Sequence, residues 1–392
     1  MTYKREIQTS TTRSWFLFGP RQTGKTTLVK SMIQQDVLYI DLLPQRKFLH
    51  YARHVGSLRE EILAWLKKHP APKNALCIID EVQKLPALLD EVHELIESFG
   101  IRFILTGSSA RKLRRGGANL LAGRANTYHL YPLTFGELGE QFDIEQAMRT
   151  GCLPVAWQLS ADDRREFLIA YTETYLKEEI AAEGLVRQIG PFSRFMDIAA
   201  SCDGETINYS NIARECAVTI KTVQQYYQIL EDTFLAHKIP AWRRSARKRL
   251  VAHPRYYLFD CGVSNALCHT LGRALNARTR GRRFEQLVIT QLLAAIHYNR
   301  LDYQLHYWRT NHGAEVDILI CQGERILAAV EIKSMARIGS EKLTGLHSFL
   351  ADQPTVPGYV LGIDQPTRLI GERVQVMDWA RFISQNLPGL SG

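Results

Sequence analysis

The chain has 392 residues, 45% hydrophobic and 23% charged, a composition that excludes a disordered tail or mini-protein and suits a folded protein of two or three domains. It contains no run of about 18 apolar residues, and MTYKREIQTS lacks the charged-then-apolar order of an export signal, so membrane insertion is not expected and the default location is cytoplasmic. The net charge of +9 is unevenly spread: between Ala241 and Arg283 eleven basic residues face one acid, Asp260, which makes that segment +10 and the remainder −1.

The first 130 residues alternate short β-rich runs with helical periodicity. Expected strands are 14–18, 37–42, 75–80, 102–107 and 126–131, the pattern of a parallel sheet with helices on both faces. The first strand runs into Gly19, Pro20, Arg21, Gln22, Thr23, Gly24, Lys25 and Thr26, an unbroken G-x-x-x-x-G-K-T, followed by Thr27 and a helical stretch. Glycines in such a loop let backbone amides face phosphate at a helix N-terminus. Lys25 reaches the β- and γ-phosphates and the Thr26 hydroxyl ligates magnesium, so ATP and Mg2+ are the expected cofactors.

The third strand ends at Asp80 and Glu81. Asp80 stands where it can hold magnesium through water, and Glu81 where it can polarise the attacking water. After the fourth strand, Thr106 and Ser108 are placed to sense the γ-phosphate or orient water, against the simpler reading of strand-end turn residues. Arg111, Lys112, Arg114, Arg115 and Arg124 follow; Arg124 is the candidate arginine finger, acting on a neighbouring subunit in a homo-oligomer, a hexamer among the options.

The runs GPRQTGKTT, IIDEVQKLP, LTGSSARKLRR, LAGR and YPLTFGEL resemble the AAA-type ATPases of bacteria and archaea that carry a C-terminal domain of unknown function. YTETYLKEEI at 171–180 is similar to the segment that follows their ATPase core. The likeness covers most of the chain and implies an added winged-helix region and a nuclease-like fold.

Residues 135–190 read as a helical lid over the nucleotide. Residues 206–216, a turn and 220–230 then read as a helix-turn-helix within a winged-helix module spanning 191–270. Its expected interior is Ala213, Val218, Val223 and Leu230, with Lys221, Thr222, Gln224, Gln225 and Gln228 facing outward with groove-reading chemistry. DNA is the expected partner, since the basic segment begins where a wing would meet phosphates; a protein-interaction module is the alternative.

In the last third, residues 271–392, Glu285 lies in a helical stretch, Asp317 on an apolar strand, and Glu331 and Lys333 alternate on a second. These groups are expected to converge at one edge of a sheet, where Asp317 and Glu331 hold a divalent metal, Glu285 adds a ligand and Lys333 assists phosphodiester cleavage. This pattern resembles the PD-(D/E)XK nuclease fold; binding without cutting is the alternative. The fold class is thus α/β: an AAA-type P-loop core at 1–134, the lid, the winged-helix module and a restriction-endonuclease-like domain. The seven scattered cysteines have no zinc-ligand spacing and read as reduced core thiols, and Trp242, Trp308, Tyr226 and Tyr227 read as core aromatics.

Overall fold

Five short strands, each rich in β-branched or aromatic residues, form a wholly parallel sheet: β1 (Ser14–Phe18), β2 (Val37–Asp41), β3 (Leu76–Asp80), β4 (Arg102–Gly107) and β5 (Ala125–His129). The strand order is β2-β3-β4-β1-β5, and the expected strands match within two residues at either end. The computed structural model describes residues 2–33, 37–69, 75–109, 111, 113, 121, 123–175, 189–242, 253–335, 337–339 and 343–391. Strands β1, β3 and nearly all of β4 are buried, as continuous apolar runs in a parallel sheet require. The short helix α1 (Lys25–Lys30) follows β1, and Phe16, Phe18, Ile79, Phe103 and Leu105 form a core with Tyr51, Leu58, Ile62, Leu88 and Val92 from α2 (Gln45–Arg53), α3 (Ser57–Lys68) and α4 (Leu88–Phe99).

The chain divides into two compact units, residues 1–132 with 232–235, and residues 133–231 with 236–392. The four-residue return closes the first unit: the Phe234 ring stacks on Phe18 at 5.8 Å and meets His129 edge-on at 5.1 Å, while Asp232 pairs with Arg111 at 3.1 Å. Phe234 holds a left-handed backbone, φ 61°, which marks a sharp reversal that a bulky residue seldom adopts.

In the second unit, helices α5 (Ile144–Thr150) and α6 (Ala161–Ala170) pack on α10 (Cys261–Leu267); between them in sequence come α7 (Ile189–Ser201), α8 (Tyr209–Cys216) and α9 (Ile220–Asp232). Asp260 caps α10 through the Gly262 and Val263 amides and also accepts the Cys152 amide at 2.6 Å. Asn265 donates to the Met148 and Arg149 carbonyls, each at 2.9 Å, so the end of α5 is fastened to α10. The described part of the segment expected as a lid, Phe135 to Tyr175 with Ile189 and Gly190, therefore belongs to this unit; residues 176–188 lie outside the described residues.

Helices α7, α8 and α9 are followed by a two-stranded antiparallel sheet, β6 (Ala236–Ile239) and β7 (Arg255–Leu258). Thr206 bridges to Arg255 on the other side of β7. A mixed six-stranded sheet then has the order β12-β13-β11-β10-β9-β8, built from β8 (Gln304–Arg309), β9 (Glu315–Gln322), β10 (Arg325–Ile332), β11 (Gly358–Gly362), β12 (Arg368–Ile370) and β13 (Val374–Asp378). The long helix α11 (Ala277–Tyr298) packs on it, and α12 (Thr344–Asp352) covers a core that includes Val316, Leu319, Leu346 and Phe349. Tyr226 and Tyr227 are buried against Phe192 and Phe195, and Trp242 and Trp308 pack on Phe349, so all four serve as core aromatics. All seven cysteines are unpaired and five are buried.

Candidate functional site

The loop after β1 is shaped by close backbone approach. A Cβ on Gly19 would lie 2.3 Å from the Leu130 carbonyl, so only glycine fits there. Gln22 and Gly24 take left-handed conformations, φ 65° and 93°, bending the chain into the first turn of α1. Thr23 donates its hydroxyl to the Pro20 carbonyl at 2.8 Å. Lys25 is 5% exposed, and its ammonium donates to the Gly19 and Pro20 carbonyls, both at 2.8 Å. Arg21 and Thr26 are half-buried, while Thr27 is exposed. Arg5 braces the loop from outside its motif, donating to the Thr23 and Tyr131 carbonyls at 2.6 Å each.

At the carboxyl ends of β3 and β4 the expected residues meet. The Asp80 carboxylate accepts the Tyr39 hydroxyl at 2.8 Å and the Thr106 hydroxyl, and the same Thr106 oxygen accepts the Glu81 amide at 3.1 Å. Burial and the hydrogen bond to Asp80 push the Tyr39 phenol far above its ordinary range, so it stays protonated as a donor. Glu81 sits at φ 62°, which turns its side chain out of the strand direction. Gln83, 1% exposed, donates its amide to the Glu81 carboxylate and to the Ser108 hydroxyl, the latter at 3.0 Å. Glycine at 107 leaves room for it, because a Cβ there would lie 2.8 Å from the Gln83 side-chain Oε1.

Sequence reasoning missed Gln83, Tyr39 and Arg5. Gln83 lies in the turn just after β3 and Tyr39 on the neighbouring β2, and nothing in an arginine of an irregular lead-in announces a contact eighteen residues on. Gln83 fixes where the Glu81 oxygens point. Gln83→Ala is expected to lower kcat for ATP about tenfold with KM little changed, since it disturbs orientation rather than ground-state binding. Steady-state kinetics check this; an unchanged kcat would show that Glu81 is positioned without it.

Arg124 is paired with Glu97 on α4, both at the surface, and Arg111 with Asp232. Lys112, Arg114 and Arg115 lie outside the described residues.

In the second unit, Ala213, Val223 and Leu230 are buried and Val218 half-buried, as expected. Lys221, Gln224, Gln225 and Gln228 are exposed along α9; Thr222 is half-buried, its hydroxyl 2.9 Å from that of Thr219. The basic segment is less free than its count suggests. Arg278 and Arg282 pair with Glu205, Arg280 with Glu145, Arg283 with Asp203 at 3.1 Å, and Arg255 with Glu315 at 2.8 Å. Each acid lies outside the 241–283 window, so a local tally overstates the exposed charge. Arg243, Arg244, Arg247, Lys248 and Arg249, in the sequence joining β6 to β7, lie outside the described residues.

The C-terminal acids converge on β9 and β10, which are inner strands of the six-stranded sheet, not at an outer edge. Val330 pairs with Ile318, which sets Glu331 beside Asp317, and Asp317 accepts the Ile332 amide at 2.9 Å. Lys333 donates to Glu331 at 2.5 Å and lies 3.9 Å from Asp317. Glu285, from α11, accepts the Tyr257 hydroxyl at 2.6 Å. Burial, reinforced by the Asp317 charge, raises the Glu285 carboxyl to about 7 and the Glu331 carboxyl to about 8. Burial alone would lower Lys333, but Asp317 and Glu331 outweigh it and hold the ammonium charged. Among the described residues no group of three or more His, Cys, Asp or Glu side chains is arranged to hold a metal ion, so the expected set of Glu285, Asp317 and Glu331 does not form a three-carboxylate metal site. Arg255 stands among them instead, its guanidinium 3.7 Å from Glu285 and 3.9 Å from Asp317. As they stand, Glu285, Asp317 and Glu331 do not fit a divalent metal held by all three carboxylates.

The AAA domain family matches residues 11–139. Two families described as domains of unknown function match residues 141–277 (DUF8612) and 280–382 (DUF4143). Uncharacterized proteins of Mycobacterium bovis and Mycobacterium tuberculosis are each 26% identical over 309 residues, covering 78% of this chain and 66% of their own length. The chain thus spans just under two thirds of those relatives. An uncharacterized protein of Haemophilus influenzae is 21% identical over 335 residues, with 79% of this chain and 80% of that protein covered. Among solved structures, the Aeropyrum pernix ORC1 protein in complex with DNA is 15% identical, covering 66% of this chain and 86% of its own, at a TM-score of 0.26, below that of a shared fold. No helix among the described residues is long and apolar enough to cross a membrane. Most of the first unit thus matches the AAA domain family, and the rest of the chain matches families described only as domains of unknown function.

Proposed function

We propose that the AAA-type ATPase domain hydrolyses ATP with magnesium in order to drive or switch an action on DNA, which the chain contacts through a winged-helix module built from α7, α8, α9, β6 and β7. The observation that carries the ATPase reading is the hydrogen-bonded set of Asp80, Thr106, Glu81, Gln83 and Ser108 beside the phosphate loop. The Thr26 hydroxyl and the Asp80 carboxylate, the latter oriented by two hydroxyl donors, are a hard-oxygen pair that suits magnesium. Bound magnesium would offset the charge on the β- and γ-phosphate oxygens.

The chain's own residues do the rest. Lys25 exchanges the Gly19 and Pro20 carbonyls for phosphate oxygens. Glu81, held by Gln83, accepts a hydrogen bond from the attacking water and aims its lone pair at the γ-phosphorus. Ser108, on the same glutamine, lies where a γ-phosphate contact would be felt by Glu81. In an assembly of copies, Arg124 would leave Glu97 and act on the neighbour's γ-phosphate.

For DNA, the three helices followed by an antiparallel pair support the winged-helix reading, with Lys221, Gln224, Gln225 and Gln228 exposed on the second helix of the helix-turn-helix. A specific observation, Arg255 among the C-terminal carboxylates, favours binding over cutting by Asp317, Glu331 and Lys333. The test is ATP turnover of the full chain with and without a duplex, alongside anisotropy of a labelled duplex. A saturable anisotropy rise and a turnover changed about threefold or more by the duplex are expected. No anisotropy change and unaltered turnover would favour the protein-interaction alternative.

A further inference from the structure

The residue that departs most from the sequence-based expectation is Arg255. It begins β7, with Ile239 paired to it on one side and Thr206 bridged on the other, so its backbone is held from both directions. Its side chain is 5% exposed and lies over the Tyr307 ring, 4.6 Å from the centroid. From there the guanidinium faces three carboxylates, Glu315 at 2.8 Å, Glu285 at 3.7 Å and Asp317 at 3.9 Å. Lys333 serves Glu331 and Asp317 from the other side. Each of the four carboxylates thus faces a cation that the chain itself supplies.

We propose that Arg255 is the resident cation of this carboxylate cluster and keeps it closed to divalent metal. A metal bound by Asp317 and Glu285 needs oxygen ligands at about 2.0–2.6 Å, and there it would meet the like charge of the guanidinium, which lies 3.7 and 3.9 Å from the same two carboxylates. Two buried atoms, Arg255 Nε and Glu331 Oε2, have no hydrogen-bond partner. The Glu331 oxygen is where a metal would first be sought, which makes the proposal sharply testable. The inference deepens the reading of the second unit as a binding rather than a cutting device. Its metal readout is separate from ATP turnover and from DNA anisotropy.

The experiment measures Mn2+ binding by electron paramagnetic resonance, using the full chain with Lys25→Ala and no nucleotide. With Arg255 in place, no binding that Asp317→Asn abolishes is expected up to about 1 mM, the weak end of protein divalent sites. Arg255→Met, similar in reach without the charge, is expected to bind Mn2+ at least about tenfold more tightly, and adding Asp317→Asn is expected to remove that gain. Loss of a buried partner destabilises, so Arg255→Lys, which keeps a cation, is measured in parallel and is expected to behave as the parent. Asp317-dependent binding well below 1 mM with Arg255 present would overturn the proposal, as would a folded Arg255→Met chain that binds no better. Where Arg255→Met does not fold, Arg255→Gln, which also removes the charge, is judged by the same two outcomes.

Discussion

Lys25→Ala is expected to reduce ATP hydrolysis by about 100-fold or more, equivalent to about 2.7 kcal/mol of lost transition-state stabilisation, together with loss of nucleotide binding. The ammonium is already buried and aimed into its own loop at two carbonyls 2.8 Å away, so the position is organised before phosphate arrives. Glu81→Gln removes the charge proposed to polarise water but leaves the loop intact. Binding of ATP should persist while turnover falls by about the same factor, and rapid filtration should capture trapped, unhydrolysed ATP. Turnover of Glu81→Gln at the wild-type rate would mean that another group activates the water. The two variants also separate binding from chemistry, which no single substitution here does.

The second large effect concerns salt. Replacing Arg243, Arg244, Arg247 and Arg249 together by glutamine is expected to weaken duplex binding and flatten its dependence on ionic strength. Each lost phosphate contact lowers the log–log slope by about 0.9, so the full set would lower it by up to about 3 to 4. The arginines further along, Arg278, Arg280, Arg282 and Arg283, already face acids within the chain, so their replacement should alter the slope little and stability more. If the quartet variant binds as tightly as wild type at every salt concentration, the segment docks a protein or faces only solvent.

How much was legible in the sequence follows the range of the interactions involved. The phosphate loop, Asp80 and the strands around them are written in contiguous residues, because the apolar run, the glycines and the lysine all act on neighbours along the chain. Gln83 was invisible for the opposite reason: its partners, Glu81 and Ser108, are joined only once β3 and β4 lie side by side in register. The pairing of Arg255, Arg278, Arg280, Arg282 and Arg283 was hidden in the same way, since the acids that answer them are Glu145, Asp203, Glu205 and Glu315. Asp317, Glu331 and Lys333 were brought together as their alternation implied. Arg255 entered among them from a strand that no acidic motif points to.

The short return of Asp232 to Leu235 into the first unit bears on the order in which the molecule is made. Domains tend to fold as they emerge, the N-terminal one first. Here the last pieces of that unit, Phe234 against Phe18 and Asp232 against Arg111, emerge from the ribosome roughly a hundred residues after β5. Until then Phe18 and His129 lack their contact with the Phe234 ring while α5 through α9 are being synthesised. A gene fragment ended at Pro132 would make that lack permanent, and so would carry the whole nucleotide motif on a unit missing its final clasp.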